Sequence, residues 1–175
     1  MTYEEAVAYL EGLIDFERAA RGVSGVQQRM FKLDRMRALL DLMGNPHRNL
    51  RCVHVAGTKG KGSVCAFADA ILRASNYRVG LYTQPGLVDP RERVMIDRRM
   101  IPKEALVRHV ERLKPCVERV DPAEHGEVTY FEGMTALAFD YYAAEGVDYV
   151  VLEVGLGGRL DATNVVTPAV CAVTA

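Results

Sequence analysis

Charge of one sign is missing from this chain. Its 22 lysines and arginines against 23 aspartates and glutamates leave a formal net charge of −1 over 175 residues. That balance supplies no basic or acidic field and argues against a nucleic-acid or membrane partner. Long hydrophobic runs are also missing. None approaches the roughly 20 residues of a membrane-spanning helix. The opening Met1-Thr2-Tyr3-Glu4-Glu5 is acidic and has no signal-peptide core. Cys52, Cys65, Cys116 and Cys171 form no C-x-x-C pair and stand among apolar neighbours, which argues against a zinc ribbon or a disulfide framework. They are expected to be reduced core thiols of a cytoplasmic protein. His47, His54, His109 and His125 are scattered, and none is assigned to a metal. There is no tryptophan. What remains is ordinary: 49% hydrophobic and 26% charged residues, long enough for one domain with a real core.

The informative stretch runs from Val53 to Ser63. Arg51-Cys52-Val53-His54-Val55-Ala56 is short, β-branched and mostly apolar, and reads as a buried strand. Gly57, Gly60 and Gly62 follow within six residues, a density that no strand or helix interior uses. From Val64 to Leu72 an alanine-rich apolar pattern suits a helix. Strand, glycine loop and helix make a phosphate cradle of backbone N–H groups and a helix N-terminus. Lys61 stands where a lysine reaches the β- and γ-phosphates, and Ser63 can offer a hydroxyl to Mg²⁺. The fit to G-x-x-x-x-G-K-[ST] is imperfect, since position 55 is valine and Gly62 separates Lys61 from Ser63. The alternative is a strand–turn–helix corner whose glycines only make the turn.

The rest of the chain alternates. Residues 2–15 read as a helix opened by a Thr2–Glu5 capping box, with Val7, Leu10, Leu13 and Ile14 as its apolar stripe. Arg21–Gly25 is a loop. Residues 28–43 form a second helix with Met30, Leu33, Met36, Leu39, Leu40 and Met43 at helical spacing, stopped by Gly44-Asn45-Pro46. Tyr77–Thr83 is a short strand, and Val94–Asp97 a short edge strand. Pro102 opens a helix at its first position and carries it to about Val120. Thr129 caps another, with Glu132 three residues on, through about Ala144. Met134, Leu137, Ala138 and Tyr141 then share one face. Val147–Val154 is a nearly continuous apolar run holding Glu153 at its end, the pattern of a strand buried on both faces of a parallel sheet. A carboxylate there is costly unless something positive meets it. In a P-loop enzyme that partner is Mg²⁺; otherwise it is a salt bridge, with Arg159 the nearest candidate. Strands near 51–56, 78–83, 148–154 and 169–174, with helices between, predict a three-layer α/β/α fold: a mainly parallel sheet with helices on both faces. Ligands bind at the carboxyl ends of such strands, where the loop of Gly57–Ser63, the Thr83–Gln84 turn and Glu153 all fall.

Gly57-Thr58-Lys59-Gly60-Lys61-Gly62-Ser63 resembles the loop of the Mur-ligase superfamily. Within it, the stretch is most similar to folylpolyglutamate synthase/dihydrofolate synthase, whose loop carries asparagine where Lys59 stands. Four further stretches share the resemblance, so it covers nearly the whole chain: Leu33 to Pro46, Tyr82-Thr83-Gln84-Pro85-Gly86-Leu87 with Glu92-Arg93, Thr129-Tyr130-Phe131-Glu132, and Glu153-Val154-Gly155-Leu156-Gly157-Gly158-Arg159-Leu160-Asp161-Ala162-Thr163-Asn164. The resemblance implies an incomplete Mur-ligase-like ATPase domain, with residues 1–50 an N-terminal helical segment. It implies ATP and Mg²⁺ as cofactors, with folate or dihydropteroate and L-glutamate as the other small-molecule substrates. The reaction would be amide-bond formation through an acyl phosphate. Lys61 and Glu153 would be catalytic. Gly57, Thr58, Lys59, Gly60, Lys61, Gly62 and Ser63 would bind nucleotide. Glu153, Ser63, Thr83 and Gln84 would hold the metal. Gln84 stands where the family has a metal-holding serine, and Gly86 where it has histidine. Thr129, Phe131 and Asp161 would face the substrate, although core packing explains Phe131 equally well. The family's enzymes are longer and carry a further metal-binding histidine, a modified lysine and a C-terminal domain. The chain is therefore expected to be an N-terminal portion that is inactive alone, from an enzyme that is monomeric when intact. Two rival readings are a muramyl-peptide ligase and a nucleotide- or folate-binding module without catalysis.

Overall fold

The structure, a computed structural model, describes residues 1–13 and 33–175. The expected loop at Arg21–Gly25, the start of the helix predicted over 28–43 and the residues Ile14 and Met30 lie outside the described residues.

Among the described residues six strands form one sheet: β1 (Cys52–Ala56), β2 (Val79–Tyr82), β3 (Val94–Ile96), β4 (Arg99–Met100), β5 (Tyr149–Glu153) and β6 (Val170–Val173). Their order is β4-β3-β2-β5-β1-β6. The four strands β2, β5, β1 and β6 are parallel, and β3 and β4 add an antiparallel hairpin. The edge is thus β4, not the segment beginning at Val94, because Asp97 and Arg98 turn the chain back with positive φ.

Among the described residues, five helices of nine residues or more cover this sheet: α1 (Tyr3–Glu11), α2 (Leu33–Leu42), α3 (Lys61–Ala74), α4 (Lys103–Val117) and α5 (Tyr130–Glu145). The capping boxes at Thr2 and Thr129 both form, each side chain accepting from the amide three residues on. Several ends differ from expectation. Gly12 closes α1 earlier than residue 15. Pro102 sits at the N-cap rather than the first helical position, and α4 ends at Val117, two residues after Pro115. Most consequentially, α3 begins at Lys61, not after Ser63. Gly60 turns the chain at φ 83°, so Lys61, Gly62 and Ser63 make the first helical turn.

Strand alternation sorts the two faces. Cys52, Tyr82, Val150 and Leu152 enter the larger core, with α1, α2, α4 and α5. Val55, Val79, Leu81 and Val151 enter a smaller core beneath α3. Helix α5 has no wet face: every residue from Glu132 to Tyr142 is buried. The expected one-sided stripe fails because α5 lies between the sheet and an outer layer of helices. Tyr142 fixes this contact, donating to the Leu81 carbonyl at 2.7 Å, with its ring where Gly80 leaves no Cβ.

The thiols divide by depth. Cys52 and Cys65 are buried, but Cys116 is half-buried and Cys171 exposed. Cys171 stands on β6, the outermost parallel strand among the described residues, where Val170 and Val173 are exposed as well. Among the described residues no helix is long and apolar enough to cross a membrane.

Candidate functional site

The chain order reverses beside β1. From β1 it passes through α3 on one face, and β2 takes a place two strands away, with β5 filling the gap. The connection from β5 to β6 instead packs a short 3₁₀ turn, Ala162–Val165, into the other core. A crevice at the carboxyl ends of β1 and β5 follows from this reversal. The Gly57–Ser63 loop, the Thr83–Gln84 turn and Glu153 all open onto that edge.

Register fixes where each side chain points. Val55 pairs with Glu153. Glu153 shares its parity with Val151, so it faces the α3 side. A Cβ built on Gly62 would lie 3.6 Å from Glu153 Oε2, which places the first turn of α3 against this carboxylate. Glu153 is 6% exposed and accepts the Gln84 N–H at 3.2 Å. No ion pair to it occurs among the described residues, so the alternative partner Arg159 is not used. Among the described residues the acid at the end of β5 therefore meets one backbone N–H and no positive charge within 4 Å.

Loop geometry divides the nucleotide-binding candidates. Gly57 is held against β6: a Cβ there, at φ +136°, would come within 2.6 Å of the Thr174 carbonyl. The Thr58 and Lys59 amides both donate to the Ala175 carbonyl, at 3.1 and 2.7 Å. These three positions brace the loop. The first-turn amides of α3 have no acceptor inside the helix, so Lys61, Gly62 and Ser63 carry the outward-pointing donors. Lys61 is half-buried and Ser63 exposed. Both Lys61 and Glu153 act on Cys65 beneath them, but burial is the main reason its thiol is pushed up to about 12.

Gln84 resolves differently from its expected role. Its side-chain oxygen accepts from Arg93 Nη1 at 3.5 Å. Arginine only donates, so this contact fixes the amide's orientation. The oxygen is thus engaged by Arg93, and the buried Nε2 has no partner. Gln84 Nε2, Phe131 Cζ and Asp161 Oδ2 all lie within 3.1 Å of the point where Gly155 would carry a Cβ. The structure thus brings Gln84, Phe131 and Asp161 together around Gly155. Thr83 is half-buried, its amide bound to the Arg93 carbonyl.

Asp161 is 4% exposed. Its Oδ2 accepts the Gly155 and Leu156 amides at 2.9 and 3.0 Å, and its Oδ1 accepts the Thr163 amide and hydroxyl. Both oxygens are occupied in shaping the glycine loop. Thr129 likewise works as a cap. Its amide and hydroxyl both donate to Glu132 Oε2 at 2.9 Å, and Arg35 Nε reaches the same oxygen at 2.7 Å.

One connection was invisible in the sequence reading. His54 Nε2 lies 2.8 Å from the Thr163 hydroxyl. That hydroxyl donates to Asp161, so it accepts at His54, and the imidazole carries its proton on Nε2. Burial lowers the His54 pKa, against an opposing pull from Asp161. The neutral tautomer therefore ties the strand under the nucleotide loop to the glycine loop after β5. Alternation was the available signal: His54, between Val53 and Val55, must face away from α3.

No group of three or more His, Cys, Asp or Glu residues that could hold a metal occurs among the described residues. No protein-family model matches the chain. Over 99% of its length it is 46% identical to the "Probable bifunctional folylpolyglutamate synthase/dihydropteroate synthase" of Haloferax volcanii, of which it covers 19%. Over 98% it is 39% identical to the dihydrofolate synthase/folylpolyglutamate synthase of Bacillus subtilis, of which it covers 38%. A solved folylpolyglutamate synthase complex with AMPPCP and folate superimposes with a TM-score of 0.85 at 38% identity, covering 99% of this chain and 40% of that one. The chain spans at most about two fifths of these relatives. In sequence and in fold it is homologous, over nearly its whole length, to part of the folylpolyglutamate synthase/dihydrofolate synthase family.

Proposed function

We propose that this chain carries the P-loop half of an ATP-dependent ligase that adds L-glutamate to dihydropteroate or a folate. The observation that carries this reading is Glu153: a buried carboxylate with no cationic partner among the described residues, on the strand beside β1 and against the first turn of α3. A buried acid in that state is stabilised by a cation. The donor set suits Mg²⁺, which takes few protein ligands and completes its shell with phosphate oxygens and water. Glu153 and Ser63 would hold it, with Thr83 beside them. Gln84 would join them only by giving up Arg93. Once bound, Mg²⁺ neutralises charge on the nucleotide phosphates.

The protein's own share is positioning and charge. The first-turn amides of α3 bind phosphate oxygens, and Lys61 adds a positive charge near the β- and γ-phosphates. Gly57, Thr58 and Lys59 hold the loop in shape, and Gly60 makes its turn. Phe131 at the start of α5 offers an aromatic face to the substrate. Asp161 and Thr129 fix the segments that flank it. A substrate carboxylate attacking the γ-phosphate would release ADP and give an acyl phosphate; the amino group of glutamate would then attack its carbonyl carbon, forming the amide, losing a proton and releasing inorganic phosphate. Such transfer relies on orientation and electrostatic stabilisation.

Calorimetric titration of ATP, with and without Mg²⁺, tests the site in the wild type, Lys61→Ala and Glu153→Gln. Mg²⁺-dependent binding that both substitutions remove is the expected result. Equal ATP binding in all three proteins would overturn the assignment.

A further inference from the structure

The opposite end of the same strands carries a second polar site. The chain enters β1 from a 3₁₀ turn at Pro46–Asn49 and β6 from the stretch after Val165. Between these entries and the end of α2 lies a cavity of about 480 Å³, lined by Arg37, Asp41, Asn45, His47, Arg48 and Thr167. That volume suits a small ligand. The five residues of β1, at about 3.3 Å each, separate this end from the nucleotide loop by roughly 15 Å.

Donors dominate the lining. Two guanidinium groups face one carboxylate. Asp41 is already engaged at Oδ1 by the Asn45 amide, at 2.8 Å, and by Arg48, at 3.8 Å. Arg37 touches Asp34 at 3.5 Å, with both side chains mostly exposed. Loose, hydrated pairs of this kind are weak, so both arginines are available to an incoming anion. His47 is the buried member, 8% exposed, with its ring against Phe139. Its Nδ1 is buried with no partner, which leaves Nε2 for the cavity side. Burial, helped by the charge of Arg48, lowers its pKa. A neutral imidazole has one N–H, and burying that N–H unpaired costs more than burying the bare lone pair. The proton therefore sits on Nε2.

We propose that this cavity is an oxyanion site, taking a phosphate or carboxylate group between Arg37 and Arg48, with the His47 Nε2–H and the Thr167 hydroxyl as neutral donors. Bidentate guanidinium contacts match either group. The site is distinct from the nucleotide edge and does not depend on the ligase reading.

The test removes the competing phosphate site first. Lys61→Ala is titrated at low ionic strength with inorganic phosphate, with tri-γ-glutamate, and with chloride at matched ionic strength, following backbone amide shifts around residues 37–48. Saturable shifts with phosphate or the peptide, absent with chloride, are expected. Adding Arg37→Gln and Arg48→Gln should weaken binding about tenfold or more, which corresponds to about 1.4 kcal/mol. Both side chains are exposed, so an unchanged melting temperature should show that the fold persists. Saturation by phosphate alone identifies a free-phosphate site, and saturation by the peptide alone identifies a carboxylate-bearing ligand. No saturable shift with either, or binding that survives loss of both arginines, overturns the proposal.

Discussion

Replacing Arg35 with methionine tests how the start of α5 is held. Arg35 and Glu132 form a buried ion pair, with side-chain exposures of 4% and 7%. Arg35 Nε reaches Oε2 at 2.7 Å and Oε1 at 3.0 Å. Without the guanidinium, Oε2 keeps the Thr129 amide and hydroxyl, but Oε1 loses the donor described here. The carboxylate stays buried with no opposing charge among the described residues. Breaking such a pair costs about 3–5 kcal/mol. The two retained cap bonds put Arg35→Met near the lower end, about 3 kcal/mol, a large part of the roughly 5–15 kcal/mol of a typical domain. Glu132→Gln keeps a carbonyl for the cap and removes the negative charge that faces Arg35, which still donates to the His125 carbonyl at 3.3 Å. The double variant removes both charges and should be less destabilised than the sum of the singles by about 1–3 kcal/mol. Urea denaturation at neutral pH, followed by far-ultraviolet circular dichroism, measures all four proteins. A loss below about 1 kcal/mol for Arg35→Met, or strict additivity in the cycle, would refute the reasoning.

Three further outcomes are expected. Gly57→Ala should lower the melting temperature sharply, because its Cβ would lie 2.6 Å from the Thr174 carbonyl and 2.9 Å from its amide at an unfavourable φ; a stability unchanged within about 0.5 kcal/mol would contradict the packing. With a thiol reagent under native conditions, Cys171 should react first, while Cys52 and Cys65, pushed up to about 12 by burial, should react only on unfolding. The folded pKa of His54 is lowered, so the unfolded chain takes the proton first. Its contribution to stability is present above about pH 6.5 and is lost as pH falls below that value. His54→Gln should flatten this acid slope in a melting-temperature profile, and an identical slope would remove His54 as its source.

Periodicity and glycine placement made the frame legible. The parallel strands fall within a residue or two of expectation, and two capping boxes open helices at Thr2 and Thr129. Three stretches distant in sequence meet at one sheet edge, as strand polarity required. Less legible was whatever depended on three-dimensional neighbours. The α3 boundary moved to Lys61 because a left-handed Gly60 starts a helix that the glycine-rich pattern disguises. The all-round burial of α5 could not be read from its own residues, since an outer helical layer decides it. The contact of Gln84 with Arg93, nine residues on, had no signature in the sequence. Asp161 looked free to face a substrate, but its oxygens are spent on four donors in its own loop.

A helix buried on every side has no inexpensive direction of travel. Phe131 sits in the first turn of α5, and shifting that ring would drag the whole interior with it. Accommodation of ligands of different shape therefore falls to the two loops on the same rim, where Leu87, Val88, Leu156 and Leu160 stand in water. The candidate site sets a packed wall beside exposed loop tips, so substitutions at Leu87, Val88, Leu156 and Leu160 should alter ligand preference with little loss of stability.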